Sequence, residues 1–497
     1  MITFGTAGLR GPMRDGPDGM NAEVVAKATW AVAKVLTDRC LGGSTVVVGR
    51  DARHNSDDFA LITAETFAAE GFSVALLPDP LPTPVVAFAV RRLGAAAGVQ
   101  ITASHNPPAD NGYKVYLDGG IQIVSPTDRE IEAAMRQAPA TIAREPVQPI
   151  NTEILEHYLD RAASVRFGQA SVRVALTPLH GVGGAVAVEA LRRAGISDVH
   201  TVASQFAPDP DFPTVVFPNP EEPGATDALL VLAADVDADV AIALDPDADR
   251  CAVGIRAEGG WRMLSGDETG WLLGDYLLSH TSVENAVVAS TVVSSQLLAD
   301  IAAAHGAQHV ETLTGFKWLA RADADLPGRT LVYAYEEAIG HCVDPSAVRD
   351  KDGISAAVLV CDLVASLKAA GRTVSQALDD LAVAHGVHVT AAVTQRVDDA
   401  GSVMARLRAS RPTRIAGREI VVADLLERRG QHRTDALICT GDGIRVAIRP
   451  SGTEPKIKGY LEITLPVTEE LAAARTRAHT LLELVEAEVS ALLVSSR

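Results

Sequence analysis

Residues 239–250 read DVAIALDPDADR, and this stretch shows the pattern that organises the chain. Its apolar part, residues 240–244, is typical of a strand buried on both faces of a sheet. Asp245, Asp247 and Asp249 follow at once and alternate along an extended loop. Carboxylates about 4 Å apart raise one another's pKa unless a cation lies among them, and Mg²⁺ suits such oxygen ligands. The stretch predicts a buried strand that leads into a metal-binding loop; the alternative is an acidic surface turn.

Further apolar runs end abruptly in polar or glycine-rich loops, at residues 44–49, 96–101, 172–176 and 329–335. Between the runs lie stretches with apolar residues at helical spacing, at residues 22–36, 56–70, 186–194 and 354–369. The repetition of strand, helix and strand predicts α/β domains with largely parallel sheets. Ligands bind outside the carboxyl ends of the strands in such sheets, and that is where these unusual loops occur.

The length of 497 residues predicts three or four domains, because a domain typically has about 100–200 residues. The C-terminal part differs from the rest, with short strands predicted at residues 387–397, 414–422, 437–449 and 457–465. A long helix-like stretch at residues 469–492 follows, so we expect a smaller α+β domain here. These changes of pattern place the domains at residues 1–160, 161–258, 259–386 and 387–497.

The formal net charge of −19 argues against nucleic acid and anionic membranes as partners. An anionic substrate would need a local cluster of Arg and Lys. The 5 cysteines include no Cys-x-x-Cys pair, which argues against a disulfide framework or a zinc site. The chain starts without a signal-peptide pattern and contains no uninterrupted apolar run of about 18–20 residues. We therefore expect a cytoplasmic protein.

A serine turn follows the apolar run at residues 96–101, in the sequence Thr-Ala-Ser-His-Asn-Pro at residues 102–107. Such a turn would expose Ser104 and hold it in one place beside His105. Lys114 follows within reach of the same cleft. Considered alone, Ser104 is better explained as an ordinary turn residue than as a catalyst.

A basic loop, Arg-Pro-Ser-Gly-Thr-Glu-Pro-Lys at residues 449–456, collects positive charge in this acidic chain. Its small residues predict an anion-binding nest of backbone N–H groups, to which Arg445, Arg449 and Lys456 add charge. The alternative is an ordinary hairpin loop with solvated charges. Weaker anion contacts, each of which alone favours plain surface charge, are Arg10 in a glycine-rich loop, residues 314–317, and Lys351 among carboxylates.

Together these motifs resemble the α-D-phosphohexomutase superfamily, which includes phosphoglucomutases, phosphomannomutases and phosphopentomutases. The resemblance covers nearly the whole chain and keeps the family's order. Its motifs are the Gly-Thr-x-Gly-x-Arg-Gly loop at residues 5–11, the serine loop at 102–107, the aspartate loop at 245–250, a Glu-Glu sugar loop at 336–337 and the basic loop at 449–455. It implies three similar α/β domains with mixed, largely parallel sheets and a C-terminal α+β domain around a central cleft.

The resemblance also implies roles for individual residues. Ser104 would be a phosphoserine that completes a site for one Mg²⁺ with Asp245, Asp247 and Asp249. The other implied contacts are Arg250 beside this site, Glu336 with Thr314 and Gly315 at the sugar, and Arg445, Arg449, Ser451, Gly452 and Thr453 at the non-reacting phosphate. The candidates for general acid and base are Lys114, Lys351, His105 and Arg10. We favour the two lysines, because a lysine among cations can have a lowered pKa.

The implied reaction passes the phosphoryl group of phosphoserine to a sugar monophosphate and takes the other phosphate back from the resulting bisphosphate, which also serves as activator. We expect an enzyme of the phosphomannomutase or phosphoglucomutase type, a sugar phosphate as its partner, and a monomer or homodimer. A phosphopentomutase is the alternative, because the sugar loop departs from the family pattern at two positions. Ala338 stands where many hexose-specific members have a serine. Gly340 stands where some bacterial members have a catalytic histidine, and the histidine of this chain, His341, comes one residue later. A metal-assisted phosphatase and a non-enzymatic binding protein are the alternatives from other classes.

Overall fold

The structure, a computed structural model, describes residues 2–5, 8–117, 119–150, 153–451, 456–468 and 470–494. Within these ranges the chain forms four main sheets, each built from one consecutive segment. Three segments are α/β units with mixed sheets and the last is an α+β unit, which confirms the predicted fold class. The domain boundaries near residues 160, 258 and 387 stay predictions.

The first unit carries the serine loop. Its elements are β1 (Leu9–Pro12), α1 (Ala22–Asp38), β2 (Thr45–Arg50), α2 (Ser56–Ala69), β3 (Ser73–Leu76), α3 (Thr83–Leu93), β4 (Ala97–Ile101), β5 (Asp110–Leu117), β6 (Ile121–Gln122) and α4 (Thr127–Met135). The strand order is β1-β5-β4-β2-β3, with β6 on β5. Because β2 and β4 are parallel neighbours, the loops that follow them lie at the same edge of the sheet.

The second unit carries the aspartate loop. Its elements are α5 (Ile154–Ala163), β7 (Val174–Thr177), α6 (Gly183–Arg193), β8 (Val199–Thr201), α7 (Ala203–Phe206), α8 (Asp227–Asp235), β9 (Val240–Leu244), β10 (Cys251–Ala257) and β11 (Gly260–Met263). The strand order is β11-β10-β9-β7-β8, in which β7 is parallel to β8 and β9. Every residue of β9 is buried, as its apolar sequence predicts.

The third unit carries the sugar loop. Its elements are α9 (Gly266–His280), β12 (Ala286–Thr291), α10 (Leu297–His305), β13 (Gln308–Thr312), α11 (Phe316–Leu319), β14 (Thr330–Glu336), β15 (Gly340–Cys342), α12 (Gly353–Ala369) and α13 (Val374–His385). The strand order is β13-β12-β14-β15, with β12 parallel to both neighbours and β15 antiparallel to β14. As in the other two units, parallel strands end in an antiparallel edge hairpin.

The C-terminal unit has an antiparallel sheet of order β16-β21-β20-β19-β18-β17. Its elements are β16 (Val387–Arg396), α14 (Ala400–Ala409), β17 (Arg414–Ile415), β18 (Arg418–Asp424), β19 (Leu437–Gly441), β20 (Ile444–Pro450), β21 (Lys456–Leu465) and α15 (Leu471–Val494). The single strands predicted at 414–422 and 437–449 are wrong, since each is a two-stranded hairpin. The chain reverses at Ala416-Gly417 and Asp442-Gly443, and both glycines have positive φ, which suits two-residue hairpin turns.

Helix α12 lies at the centre of the molecule. It packs against α5, α6 and α9 and is buried along most of its length, which explains why its sequence is apolar on all sides. No single helix of the described ranges is long and apolar enough to cross a membrane. Only α12 and α13 taken together, with a bend of 91° between them, reach that length and composition.

Candidate active site

The aspartate loop after β9 is held from both sides by the neighbouring units. The Thr83 amide of the first unit donates to the carbonyl of Asp247 at 2.9 Å, and the Gly353 amide of the third unit donates to that of Ala248 at 3.1 Å. A Cβ at position 353 would lie 2.4 Å from the carbonyl oxygen of Arg250, so glycine is required for this approach. The loop is therefore fixed where three units meet.

The three aspartates converge on one point, as predicted. Asp245, Asp247 and Asp249 are buried, and one carboxylate oxygen from each lies within 4.8 Å of the others. The Oδ1 atoms of Asp247 and Asp249 are buried without a hydrogen-bond partner among the described residues. Buried carboxylate oxygens need a partner, and a hard divalent cation supplies one. These residues fit a metal ion.

Ser104 faces this cluster from the first unit. Its Oγ donates to Asp245 Oδ2 at 2.7 Å and lies 3.2 Å from His105 Nδ1. Its backbone is in the left-handed region, with a φ of 53°, and its amide bonds the Thr102 hydroxyl at 2.8 Å. Ser104 is also only 1% exposed. The structure places the serine hydroxyl directly against the three aspartates.

Lys114 lies on the other side of the aspartates. Its Nζ donates to Asp247 Oδ2 at 2.6 Å and to Asp249 Oδ2 at 2.7 Å. Burial alone would lower the pKa of Lys114, but the two carboxylates outweigh burial and raise it. Our expectation of a lysine with a lowered pKa is therefore wrong for Lys114, because its nearest neighbours are anions.

Lys351 makes a similar set of contacts from the third unit. Its Nζ lies 3.4 Å from Asp249 and 3.9 Å from both Glu336 and Asp350. Burial opposes the charged form, but the carboxylates, Asp249 first, raise the pKa of Lys351 above its ordinary value. The expectation of a lowered pKa is wrong here too. Both lysines are cations that balance the acidic cluster.

The charges divide unequally within the cluster. Burial, followed by Asp247 and Asp249, raises the pKa of Asp245. Burial also favours a raised pKa for Asp247. Lys114 opposes burial through its positive charge and its hydrogen bond, and the pKa of Asp247 is lowered. Asp245, which faces Ser104 rather than a lysine, is the carboxylate with the least compensation from cations.

Two arginines border the serine. Arg10 Nη1 lies 3.5 Å from Asn106 Oδ1 in the serine loop. The Arg250 amide donates to Asp245 at 3.1 Å, and its guanidinium lies 3.6 Å from Glu221. Burial lowers the pKa of His105, and the nearby Arg250 and Arg10 lower it further, so this imidazole is neutral beside Ser104.

The sugar loop continues from β14. Glu336 ends that strand and is 9% exposed, and Gly315 lies next to Phe316, whose ring is 5.5 Å from Lys351 Nζ. Thr314 precedes Gly315 in the loop between β13 and α11. His341 is fully buried and burial lowers its pKa to about 3, so it lines the core beneath the loop and not its surface.

The predicted phosphate loop is described only in part. Arg445 contacts the third unit, where it donates to the Val292 carbonyl at 2.7 Å and to Glu311 Oε2 at 3.0 Å. Arg449 lies near the end of β20, and the Ser451 amide donates to the Lys456 carbonyl at 2.8 Å. Gly452 and Thr453 lie outside the described residues. Arg445, one of the two arginines predicted to bind phosphate, is thus paired with the Glu311 carboxylate in this structure.

Other residues at the site were not found from the sequence. Thr83 donates its hydroxyl to Asp247 at 2.5 Å, and Glu337 accepts from Thr291 at 2.9 Å and Ser294 at 3.0 Å. Arg53 holds the serine loop from below. Arg53 follows the apolar run at residues 44–49, in Arg50-Asp51-Ala52-Arg53. Its position after a predicted strand was the sequence feature that could have indicated a place at the site. Glu337 is the second residue of the Glu-Glu sugar loop but had been given no role, whereas Thr83 lies outside every motif, so only the fold brings it here.

Family models match most of the chain. Domains I, II and III of phosphoglucomutase/phosphomannomutase, each described as an alpha/beta/alpha domain, match residues 1–141, 156–259 and 265–384. These three segments contain the serine loop, the aspartate loop and the sugar loop in that order.

Known relatives cover the chain almost end to end. A probable phosphomannomutase of Haemophilus influenzae is 41% identical, over 89% of this chain and 93% of that protein. A phosphopentomutase of Pongo abelii is 35% identical, over 94% of this chain and 85% of that protein. A crystal structure of a putative phosphomannomutase from Thermus thermophilus superposes with a TM-score of 0.74 at 25% identity, over 97% of this chain and 99% of that one.

Proposed function

This chain belongs to the phosphoglucomutase/phosphomannomutase family of the α-D-phosphohexomutase superfamily, and on that premise we propose that it is a Mg²⁺-dependent hexose phosphomutase that works through phosphoserine at Ser104. Family membership makes it a phosphomutase, an intramolecular phosphotransferase. The observation that carries the proposal is the 2.7 Å contact of Ser104 Oγ with Asp245 inside a buried aspartate cluster. We propose a cytoplasmic location and a sugar bisphosphate as activator.

The proposed reaction has two phosphoryl transfers. In the first, the bond from phosphorus to Ser104 Oγ breaks as a bond forms to the substrate's free hydroxyl oxygen. The proton that this hydroxyl loses ends on Ser104 Oγ, so the serine hydroxyl is regenerated and no net proton is released. The bisphosphate turns in the cleft, and its other phosphoryl group returns to Ser104 by the reverse of this step. Asp245, Asp247 and Asp249 would hold Mg²⁺, which when bound neutralises charge on the transferring group.

The protein's own side chains position and balance these charges. The neutral His105 orients the serine hydroxyl from 3.2 Å. The carboxylates raise the pKa of Lys114 and of Lys351, which favours these lysines as cations and proton donors at the transferring group. Glu336 is placed to accept hydrogen bonds from sugar hydroxyls. We propose substrate contacts for the remaining predicted residues, which are Arg250, Thr314, Gly315, Arg445, Arg449, Ser451, Gly452 and Thr453. Arg10 stays a candidate for proton transfer.

A phosphopentomutase is the second candidate, because the sugar loop offers few polar groups. Ala338 supplies no hydroxyl, and His341 is buried beneath the loop. A loop with fewer hydrogen-bonding groups selects less strongly for the hydroxyls of a hexose.

One assay separates these functions. The purified protein, with Mg²⁺ and a trace of glucose 1,6-bisphosphate, is incubated with mannose, glucose or ribose 1-phosphate, and isomer and free phosphate are both measured. We expect mannose or glucose 6-phosphate as the main product. Preference for ribose 1-phosphate would support the second candidate, and release of free phosphate without isomer would support a phosphatase.

A second experiment tests Ser104 itself. Intact-mass measurement should find a fraction of the purified protein heavier by one phosphoryl group, and this fraction should be absent in Ser104→Ala. Ser164→Ala is the matched control, because its exposed hydroxyl bonds only to the Arg161 carbonyl, at 2.7 Å. Full mutase activity of Ser104→Ala would refute the phosphoserine mechanism.

A further inference from the structure

Arg53 lies beneath the serine loop with its guanidinium pointing into the loop's backbone. Its Nη2 donates to the carbonyls of Ser104 at 2.7 Å and Asn106 at 2.6 Å. Its Nη1 donates to the carbonyls of Pro107 at 2.8 Å and Asp110 at 3.2 Å. One side chain thus gathers four carbonyl oxygens from seven consecutive residues, 104–110.

The Ser104 carbonyl needs this partner most, because its bond to Arg53 is buried, whereas the other three acceptors are half-buried. Arg53 is only 5% exposed, and buried carbonyl groups without a hydrogen bond are unfavourable. The planar guanidinium presents several N–H donors in a fixed fork, which an ammonium group cannot reproduce. The contact therefore depends on the shape of the arginine as well as on its charge.

The contact also bears on the conformation of the serine. Ser104 has a φ of 53°, a left-handed conformation that few residues other than glycine adopt. Arg53 bonds the carbonyl of Ser104 itself, and so fixes the peptide plane that follows this strained residue. Fixing this plane directs Ser104 Oγ towards Asp245.

Arg53 is itself supported by an ion pair within the first unit and by an aromatic ring of the second. Its Nε lies 3.4 Å from Asp51 Oδ2, and Asp51 accepts hydrogen bonds from the Ser56 hydroxyl at 2.6 Å and from the Arg53 amide at 3.0 Å. The guanidinium also lies over the ring of Phe212 from the second unit, 4.9 Å from its centroid. Support of this kind is what a precisely placed reacting atom requires.

We propose that Arg53 is a positioning residue for phosphoryl transfer, which keeps Ser104 in its strained conformation while the serine gains and loses the phosphoryl group. This inference rests on the proposed function. A displacement of about 1 Å at a reacting atom reduces turnover by about 100-fold. Arg53 does not touch the substrate side of Ser104, so its loss should lower kcat and leave KM nearly unchanged.

The test compares Arg53→Lys, which keeps the charge, with Arg53→Ala, which leaves a cavity for a small cation. We expect kcat of both variants to fall by about 100-fold at a temperature well below their Tm. Guanidinium chloride at millimolar concentration should restore kcat of Arg53→Ala severalfold, whereas methylammonium chloride should not, because it lacks the planar fork. Arg50→Ala is the control and should keep kcat. Arg50 ends β2, just before the loop that carries Arg53, but it bonds to the Leu77 and Pro78 carbonyls and to Asp57.

The outcomes separate this inference from the proposed function. Absence of mutase activity in the wild type would refute the proposed function. If the wild type is active, a kcat of Arg53→Lys close to that of the wild type overturns the role of Arg53. Equal rescue of Arg53→Ala by both cations would also overturn it, since charge alone would then suffice. If Arg53→Ala does not fold, the kcat and KM of Arg53→Lys decide the question.

Discussion

Gly340 shapes the sugar loop through the side chain it lacks. A Cβ at this position would lie 2.3 Å from Lys351 Cδ and 3.0 Å from Glu336 Cγ. The methylene chain of Lys351 therefore crosses the space that a side chain at 340 would fill, on its way to Asp249. Lys351, from the loop between β15 and α12, therefore occupies the space beside Gly340.

We expect Gly340→Ala to lower activity more than stability. The lysine chain is flexible, so the added methyl group should cost about 1–3 kcal/mol of unfolding free energy. Moving the Lys351 ammonium away from Asp249 should lower kcat by about 10-fold to 100-fold. Steady-state kinetics and thermal unfolding measure both effects. Gly42→Ala is the control, because a Cβ there has its nearest atom at 3.6 Å. A normal kcat in Gly340→Ala would contradict a role for Lys351.

The pKa direction of the lysines could not be predicted from sequence. The cluster of Arg and Lys expected around an anionic substrate favoured a lowered pKa for Lys114 and Lys351, although Lys351 lies between Asp350 and Asp352 in the sequence. In the fold their closest neighbours are carboxylates of the second unit, so the sign of the shift is reversed. Electrostatic energy depends on distance, and residue order does not report distance between units.

Among the elements, α9 links the third unit to the C-terminal unit through its first turn. Asp267 Oδ1 accepts from the Ser295 amide at 2.9 Å and from the Tyr335 hydroxyl at 2.9 Å. Ser295 in turn donates its hydroxyl to Glu462 of β21 at 2.5 Å, and His388 bonds the same carboxylate at 2.8 Å. A buried polar network thus joins the strand of the sugar loop to the C-terminal sheet.

The network should make stability depend on pH. Burial raises the pKa of Asp267 to about 7, whereas an ordinary aspartate has about 3.9. The folded protein therefore binds a proton here between about pH 4 and 7 that the unfolded chain does not, so stability from this group falls as pH rises through that window. The change is about 4 kcal/mol at most.

Asp267→Asn tests this, because an amide does not titrate. The Tm of Asp267→Asn minus that of the wild type should become more positive between pH 5 and pH 8, measured by thermal unfolding. Asp235→Asn, an exposed position at the end of α8, should show no such trend. A constant difference across this range for Asp267→Asn would contradict the raised pKa.

The predicted elements match the structure best where a strand is buried on both faces. The runs at 44–49, 96–101 and 239–244 correspond to β2, β4 and β9, because continuous burial requires continuous apolar sequence. The predictions of single strands at 414–422 and 437–449 missed the turn inside each of these segments. Each turn is only two residues long, Ala416-Gly417 and Asp442-Gly443. The glycine in each pair is typical of a two-residue hairpin turn and could have indicated it.

For the whole molecule, the cluster of three aspartates lies where three units meet. The aspartates come from the second unit, Ser104 and Lys114 from the first and Lys351 from the third. A ligand that binds only the folded state at 100 times its Kd stabilises that state by about 2.7 kcal/mol. Metal binding should therefore stabilise the assembled units together.

We expect Mg²⁺ to raise the Tm of the wild type relative to protein in EDTA. Lys114→Met leaves two buried carboxylates without their lysine. In EDTA this variant should be about 3–5 kcal/mol less stable than the wild type. Mg²⁺ should then raise the Tm of the variant by more than it raises the Tm of the wild type. Thermal unfolding with and without Mg²⁺ measures this. Lys368→Met is the control, since its pair with Asp239 is half exposed. A wild-type Tm that is the same in Mg²⁺ and in EDTA would contradict the proposed metal site.

The amino-acid sequence by itself determined the α/β fold class, the position of the serine and aspartate loops at strand ends, and the choice of Ser104 and the three aspartates as candidate site residues. Such features depend on local periodicity and short motifs, which a linear chain displays directly. Only the tertiary structure decided the charge state of the lysines, the burial of His341, the pairing of Arg445 with Glu311 and the hold of Arg53 on the serine loop. These depend on distances between residues far apart in the chain, which arise only when the units pack together.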